Sequence, residues 1–288
     1  MQFWIIQSLN SLSLGGLLFL LASGFSLIFG LMRIANLTHG ALFMLGAYLG
    51  AATLRSIDGV NLWVAALGSG VAVAALGALF ERAVLARLKT NPLGQVLVAL
   101  GMAFIISDAC LAIWGGDPIP LPTPPSLQAP TRLFGFAFPT YRLLLIGLAI
   151  LTAAALHVLL ERTRIGAMIR AGVDDPQMAR AVGIPVSALF TTVFSLGAGI
   201  AGAGGVLGGP ILSAYPGLDA DMLPLALIVV ILGGVGSLLG AFVGSFVIGF
   251  IYTFGTALLP EFAYIILFLP MIVVLAFRPQ GLFGRILT

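Results

Sequence analysis

The sequence predicts an all-α protein: a polytopic transmembrane helical bundle of about eight spans plus one short half-helix or ninth span. Three observations point there. Hydrophobic residues make up 60% of the chain and charged ones only 8%, so a water-soluble domain of this length could not hide its apolar surface and the solvent must be lipid. The apolar residues come in runs of about 20, the length of helix that crosses a hydrocarbon core. One long polar stretch, Glu161 to Pro185, interrupts them. The whole of 1–288 reads as a single membrane domain, with an inner loop at 161–185 and a Pro-rich outer loop at 115–139.

Spans are expected near 8–30, 36–56, 61–81, 94–115, 140–160, 187–208, 236–257 and 261–277. The N-terminus lacks the positive n-region of a cleavable signal peptide, so the first apolar segment is expected to remain as a span. It carries Asn10, Ser11, Ser13, Gly15, Gly16, Ser23, Gly24, Ser26 and Gly30, small or hydroxylated residues that favour close helix packing. After it comes Arg33-Ile34-Ala35-Asn36-Leu37-Thr38-His39-Gly40. Asn36 suits the N-cap of the second span, which puts His39 in its first turn. These polar residues either close the helix end or line a path, since ionisable side chains in a span are costly and tend to face cavities. Tyr48 on the same span joins the path candidates, as does Asp108 in FIISDACLAIW, which has no basic residue nearby. Asp108 either finds a donor on a neighbouring helix or bonds locally near the outer interface.

Seven prolines between Gly115 and Pro139 exclude regular helix there and imply a semi-rigid extended loop on the outer face. His157 reads as an interface or packing residue. The polar stretch 161–185 carries Arg162, Arg164, Arg170 and Arg180 against Glu161, Asp174 and Asp175. Its second half is punctuated as a helix of about two turns, ~10 Å long. Asp175 serves as N-cap, Pro176 takes the first helical position, Gly183 suits the residue beyond the C-cap, and Pro185 blocks continuation. Met178, Ala181 and Val182 share one face, with Gln177 and Arg180 on others. Such a rod suits docking into a groove on another protein; the plainer alternative is a solvated loop.

The second half of the chain is glycine-spaced. Gly197, Ala201, Gly205 and Gly209 recur every four residues, as do Gly236, Gly240 and Gly244, which lets helix backbones approach. The short apolar piece 222–233 ends at Gly233-Gly234-Val235-Gly236 and is either a half-helix dipping into the membrane or a ninth crossing. With 161–185 inside, Arg33, Arg82, Arg87, Lys89, Arg162, Arg164, Arg170 and Arg180 lie inside, and Arg55, Arg132 and Arg142 outside. Arg278 and Arg285 join the inside set if 222–233 crosses, placing the N-terminus outside and the C-terminus in the cytoplasm.

The residue inventory favours a conduit over a catalyst. Lys89 is the sole lysine and follows no G-x-x-x-x-G, so the chain has no P-loop. Two histidines and one cysteine form no metal cluster, no cofactor motif is present, and no G-x-S-x-G elbow exists. No basic run suggests nucleic acid.

Four motifs carry a resemblance that covers essentially the whole chain. They are R-x-x-N-L-T-H-G-A-L-x-M-L-G-A-Y from Arg33, R-T-R-I-G-A-M-I-R-A-x-x-D-D-P-x-M-A-R-A-x-G-I from Arg162, G-G-x-G-S-x-x-G-A from Gly233, and F-R-P-Q-G-L-F-G from Phe277. In that order they resemble the permeases of the high-affinity branched-chain amino acid ABC importers, LivH type. Thr38 and Asp108 depart from the usual pattern of that family, whose relatives also carry urea, short amides and other small organic solutes. The resemblance implies two cytoplasmic ABC ATPase subunits, a second related permease, an extracytoplasmic solute-binding protein and the bacterial cytoplasmic (inner) membrane. It also implies that 161–185 is the coupling loop, with Arg164, Gly166, Arg170, Asp174, Asp175, Pro176, Met178, Ala179, Arg180 and Gly183 in that role. Gly205, Gly233, Gly234, Gly236 and Gly240 become packing and gating glycines. A self-sufficient transporter using Asp108 and His39 as an ion-linked pair is the rival reading; an intramembrane enzyme lacks a paired nucleophile and base.

Overall fold

The computed structural model describes residues 2–32, 36–88, 91–133 and 135–284. Arg33, Lys89 and Arg285, used above in the charge count, lie outside them. The helices are α1 (Gln2–Met32), α2 (His39–Ser56), α3 (Leu62–Ala83), α4 (Pro92–Trp114), α5 (Thr140–Arg162), α6 (Arg164–Asp174), α7 (Pro176–Ala181), α8 (Val186–Leu212), α9 (Leu218–Gly233), α10 (Leu238–Leu258) and α11 (Ala263–Phe277). The all-α bundle expected from the sequence is what forms. Among the described residues six helices, α1, α3, α4, α5, α8 and α10, are long and apolar enough to cross a membrane. The other apolar helices are shorter: α2 has 18 residues, α9 has 16 and α11 has 15.

The core forms around α1 and α8. Helix α8 lies along α3, α2 and α1, while α1 also packs against α10 and α5. Backbones meet directly where the sequence spaces its glycines. A Cβ on Gly197 would fall 2.7 Å from the Gly24 carbonyl oxygen, and one on Gly205 would strike the Phe43 carbonyl on α2. Many of the side chains that point away from the core are apolar too. Leu67, Val71 and Leu79 of α3, Leu93, Phe104, Ile105 and Ile113 of α4, and Ile150 and Leu151 of α5 are all exposed. That surface suits lipid or a membrane partner, not water.

Three local features differ from expectation. Helix α2 starts at His39, not at Asn36, and its N-cap Thr38 makes no side-chain cap. Asn36 instead closes the lead-in turn, its Oδ1 accepting the Thr38 amide at 3.2 Å, because the Thr38 hydroxyl is drawn away to the Ala99 carbonyl on α4, 2.8 Å distant. The Pro-rich segment is extended for much of its length, but ends in an antiparallel hairpin of β1 (Pro130–Leu133) and β2 (Phe136–Pro139), paired Pro130 to Pro139. Its inner stretch is wedged into the bundle: Ile119 pairs with Ala214, and Leu121 is buried against Gly209. Finally, Arg164–Asp174 is helical. Thr163 caps it by accepting the Gly166 amide at 3.1 Å, and Gly166, Ile169 and Gly172 form its buried stripe.

Candidate functional site

The path candidates of the first motif gather where α1, α2 and α4 meet. His39 has no exposed surface; its Nε2 lies 2.9 Å from the Leu21 carbonyl, and the edge of Phe25 closes over it. A carbonyl only accepts, so Nε2 donates, and Nδ1 is left with no hydrogen-bond partner among the described residues. Asn36 is buried and its Nδ2 likewise finds no hydrogen-bond partner among the described residues. Tyr48, about two turns further along α2, is fully enclosed, stacks on Trp114 with centroids 5.2 Å apart, and its hydroxyl finds no hydrogen-bond partner among the described residues. Orphaned polar atoms of this kind are uncommon in packed interiors and ask for an explanation.

Asp108 does not join them. It lies exposed on α4, beside exposed Phe104, Ile105 and Leu111, and so faces outward from this chain's own bundle. His39 has turned instead to α1, and no hydrogen bond links the two among the described residues.

Sequence reasoning passed over two acidic residues that the fold places inside. Glu81, near the end of α3, is fully buried and accepts the Thr191 hydroxyl of α8 at 2.5 Å; its Oε1 has no hydrogen-bond partner among the described residues. In the sequence it sits beside Arg82 and passes for a helix-end charge. Asp219 opens α9, and a Cβ on Gly40 of α2 would come 2.6 Å from its carbonyl oxygen. Helix α9 therefore begins beside the start of α2, and Asp219 Oδ1 is buried with no hydrogen-bond partner among the described residues. The signal available was an acid bordering the apolar piece 222–233.

The polar stretch folds as its punctuation predicts. Asp175 Oδ1 accepts the amides of Gln177 and Met178, each at 2.9 Å, and Pro176 opens α7. Gly183 follows at φ +88°, the left-handed conformation glycine adopts without strain, and Ile184 N reaches back to Ala179 O at 2.9 Å. Ala179 is buried underneath, whereas Met178 is 61% and Val182 68% exposed, beside exposed Arg180 and Asp174. Arg170 ties α6 back to α5 through the Leu160 carbonyl and, at 3.4 Å, Glu161; Arg164 is exposed. The result is a capped six-residue helix whose Met178 and following Val182 are held outward as an apolar edge.

The last two motifs touch each other. Gly233 and Gly240 pack backbone to backbone, Gly236 lies against Gly30 of α1, and Gly234 lies against Gly281 and Gly284. Gly234, Gly236 and Gly281 all have positive φ. Leu282 N and Phe283 N donate to the Leu232 and Gly233 carbonyls, each at 2.9 Å. The segment after α11 thus satisfies carbonyls that the end of α9 leaves open.

The family model described as branched-chain amino acid transport system / permease component matches residues 7–275. The chain is 28% identical over 298 residues to the high-affinity branched-chain amino acid transport system permease protein LivH of Escherichia coli K12, covering 98% of this chain and 96% of that one. It is 27% identical to LivH of Salmonella typhimurium with the same coverage, and 27% identical to BraD of Pseudomonas aeruginosa over 98% and 96%. No solved structure matches. Four motifs in order, a bundle with six membrane-length helices and a match over nearly the full length lead to one assignment: the chain belongs to the branched-chain amino acid transport system permease family and is a multi-pass membrane protein.

Proposed function

We propose that this chain is a membrane-spanning subunit of an ATP-binding-cassette importer, providing a route for branched-chain amino acids or related small polar solutes while partner subunits hydrolyse ATP. The observation that carries the reading is α7. It is a capped rod seated on Ala179, with Met178 and Val182 held outward although they are apolar. Apolar side chains on a preorganised helix lose little further entropy on docking, which is what a groove on another protein rewards. Supporting it are the names of the relatives, each a permease of a branched-chain amino acid transport system.

In this reading two cytoplasmic ATPase subunits receive the loop 161–185, one on this chain and one on a second, related permease. An extracytoplasmic binding protein delivers the solute to the opposite face. The N-terminus lies outside and the C-terminus in the cytoplasm of the bacterial inner membrane, the orientation that puts most basic residues inside. Movement of α7 passes into α8, which follows after Pro185, and from α8 into α3 and α2 along their glycine contacts. Asn36, Thr38, His39 and Tyr48 border the route on this chain, and outward-facing Asp108 looks toward the second permease or lipid. Binding at the ATPases then biases which face opens, a coupling between two sites.

The test is reconstitution with the ATPases, second permease and binding protein, measuring ATP-dependent uptake of radiolabelled leucine into proteoliposomes. Uptake that needs ATP and disappears on deletion of residues 176–182, with the permease still in the membrane, is the expected result. Leucine flux through this chain alone, driven by an ion gradient, would overturn the proposal.

A further inference from the structure

The rotation of α4 about its own axis is fixed at three points. Gln95 Nε2 donates to the Leu85 carbonyl at 3.0 Å, the Ala99 carbonyl accepts the Thr38 hydroxyl, and Trp114 stacks on Tyr48. Gln95, Ala99, Ala103 and Cys110 are the buried stripe that results. At 3.6 residues per turn, Asp108 stands about 160° around the helix from Cys110. It lies in the middle of an outward face formed with Leu97, Gly101, Phe104, Ile105 and Ala112, all of them exposed. Among the described residues Asp108 makes no hydrogen bond or ion pair.

This carboxylate is too deep for lipid. Six residues separate it from Trp114, where α4 ends, which is about 9 Å along the axis. An aspartate has too short a stem to reach water from there, and an ionised side chain held in hydrocarbon is costly. The other outward faces respect that cost: α3 has no Asp, Glu, Lys or Arg from Leu62 to Phe80, and α5 has none from Leu143 to Leu160. Lipid thus suits α3 and α5 and does not suit α4.

A second copy of this chain does not suit α4 either. Copies inserted the same way round are related by an axis along the membrane normal. Packing α4 on α4 therefore sets two Asp108 carboxylates at one depth, where they repel. No other face of a copy supplies a cation there. Arg55, Arg82, Arg142 and Arg162 each lie in the first or last turn of their helices, and Arg142 already donates to Asn10.

We propose that the outward face of α4 seats a second, non-identical membrane subunit, and that Asp108 pairs there with a lysine or arginine of that subunit. The assignment rests on the transport reading above and deepens it by naming the surface at which the second permease packs. At Gly101 even a Cβ would meet no atom of this chain within 4 Å, which leaves room for an incoming helix. Leu97, Phe104 and Ile105 supply packing. Asp108 supplies discrimination, because a partner without the matching cation leaves it covered and unpaired.

The test uses the assembled complex in its membrane, with photoreactive p-benzoylphenylalanine in place of Phe104, one turn from Asp108 on the same face. Illumination is expected to join this chain to the second permease, with the adduct identified by mass spectrometry. Asp108→Arg should lower co-purification of that permease about tenfold or more while this chain accumulates as the wild type does, and Asp108→Asn should lower it less. Exchanging one lysine or arginine in the membrane helices of the second permease for glutamate should restore its co-purification with Asp108→Arg. Adducts with lipid alone, or with a differently tagged copy of this chain, would overturn the assignment, as would undiminished co-purification by Asp108→Arg. Should Asp108→Arg fail to accumulate, the photoadduct formed with Asp108 intact decides. An adduct with the second permease in a complex that takes up no leucine would defeat the transport reading and leave the interface standing. Leucine uptake with lipid adducts alone would do the reverse.

Discussion

Thr191 on α8 donates its hydroxyl to Glu81 Oε2 on α3 across 2.5 Å, at a point where Glu81 has no exposed surface. One turn along α8, Ser195 donates to the Ala74 carbonyl of the same helix α3 at 2.9 Å. Helix α8 is thus fastened to α3 at the end nearest α7. Thr191→Val strips a buried carboxylate of its donor, which costs about 1–3 kcal/mol. The expected result is a Tm lowered by about 2–4 °C per kcal/mol in a thermal scan of the detergent-solubilised chain. Glu81→Gln keeps an acceptor for Thr191 and should shift Tm by less than Thr191→Val does.

Asp175→Ala removes the cap that holds two amides of α7, worth about 1 kcal/mol. The short helix should fray, and co-purification of the ATPase subunits should fall while the permease accumulates normally. Met178→Glu with Val182→Glu should abolish co-purification outright, because the pair places charge on an otherwise apolar edge. Undiminished pull-down of the ATPases by either variant would remove α7 from the contact.

At Gly205 a side chain has nowhere to go, since even a Cβ would strike the Phe43 carbonyl. Gly205→Leu must separate α8 from α2, and overpacking of this kind costs about 1–3 kcal/mol or more. Membrane accumulation measured by immunoblot should fall sharply. At Gly101 a Cβ meets no atom within 4 Å, so Gly101→Ala, the control, should accumulate as the wild type does.

Asp108 makes the opposite prediction. It is exposed on α4, so Asp108→Asn should leave accumulation unchanged. If a partner permease or the solute meets it, leucine uptake should change in rate or selectivity. Wild-type uptake by Asp108→Asn from acid to alkaline pH would take it off the route.

Removing residues 278–288 leaves the Leu232 and Gly233 carbonyls without their donors. Each lost hydrogen bond costs about 0.5–1.5 kcal/mol net. Hydrogen exchange should show faster amides at the end of α9 and the start of α10, with α1 and α3 unaffected.

What the sequence revealed and what it hid divide along a physical line. Helix α7 was legible because each of its signals is local: an aspartate, a proline and a glycine at fixed offsets act on their own backbone. The apolar runs were legible for the same reason, since length and composition alone decide whether a helix suits lipid. Hidden were the features set by distant partners. Asn36 looks like a cap until the Thr38 hydroxyl is claimed by Ala99 on another helix. Asp108 and Glu81 are both acids in or near apolar helices, yet one faces outward and the other is fully enclosed, a difference made by neighbours far away in the chain. Helix α6 was legible in principle, since Ile165, Met168, Ile169 and Val173 stand at helical spacing. The hairpin after the prolines was hidden because its pairing depends on two short strands finding each other.

The capping of α9 by residues 282 and 283 has a consequence for biosynthesis. Those donors are among the last described residues to leave the ribosome, at a pace of about 5–20 residues per second. Until they arrive, the carbonyls they serve wait unmated while α10 and α11 are already being handed to the insertion machinery. A nascent chain halted short of Phe283 therefore exposes a defect that proofreading proteases could sense, and purification handles appended downstream belong on a spacer long enough to let that knot tie.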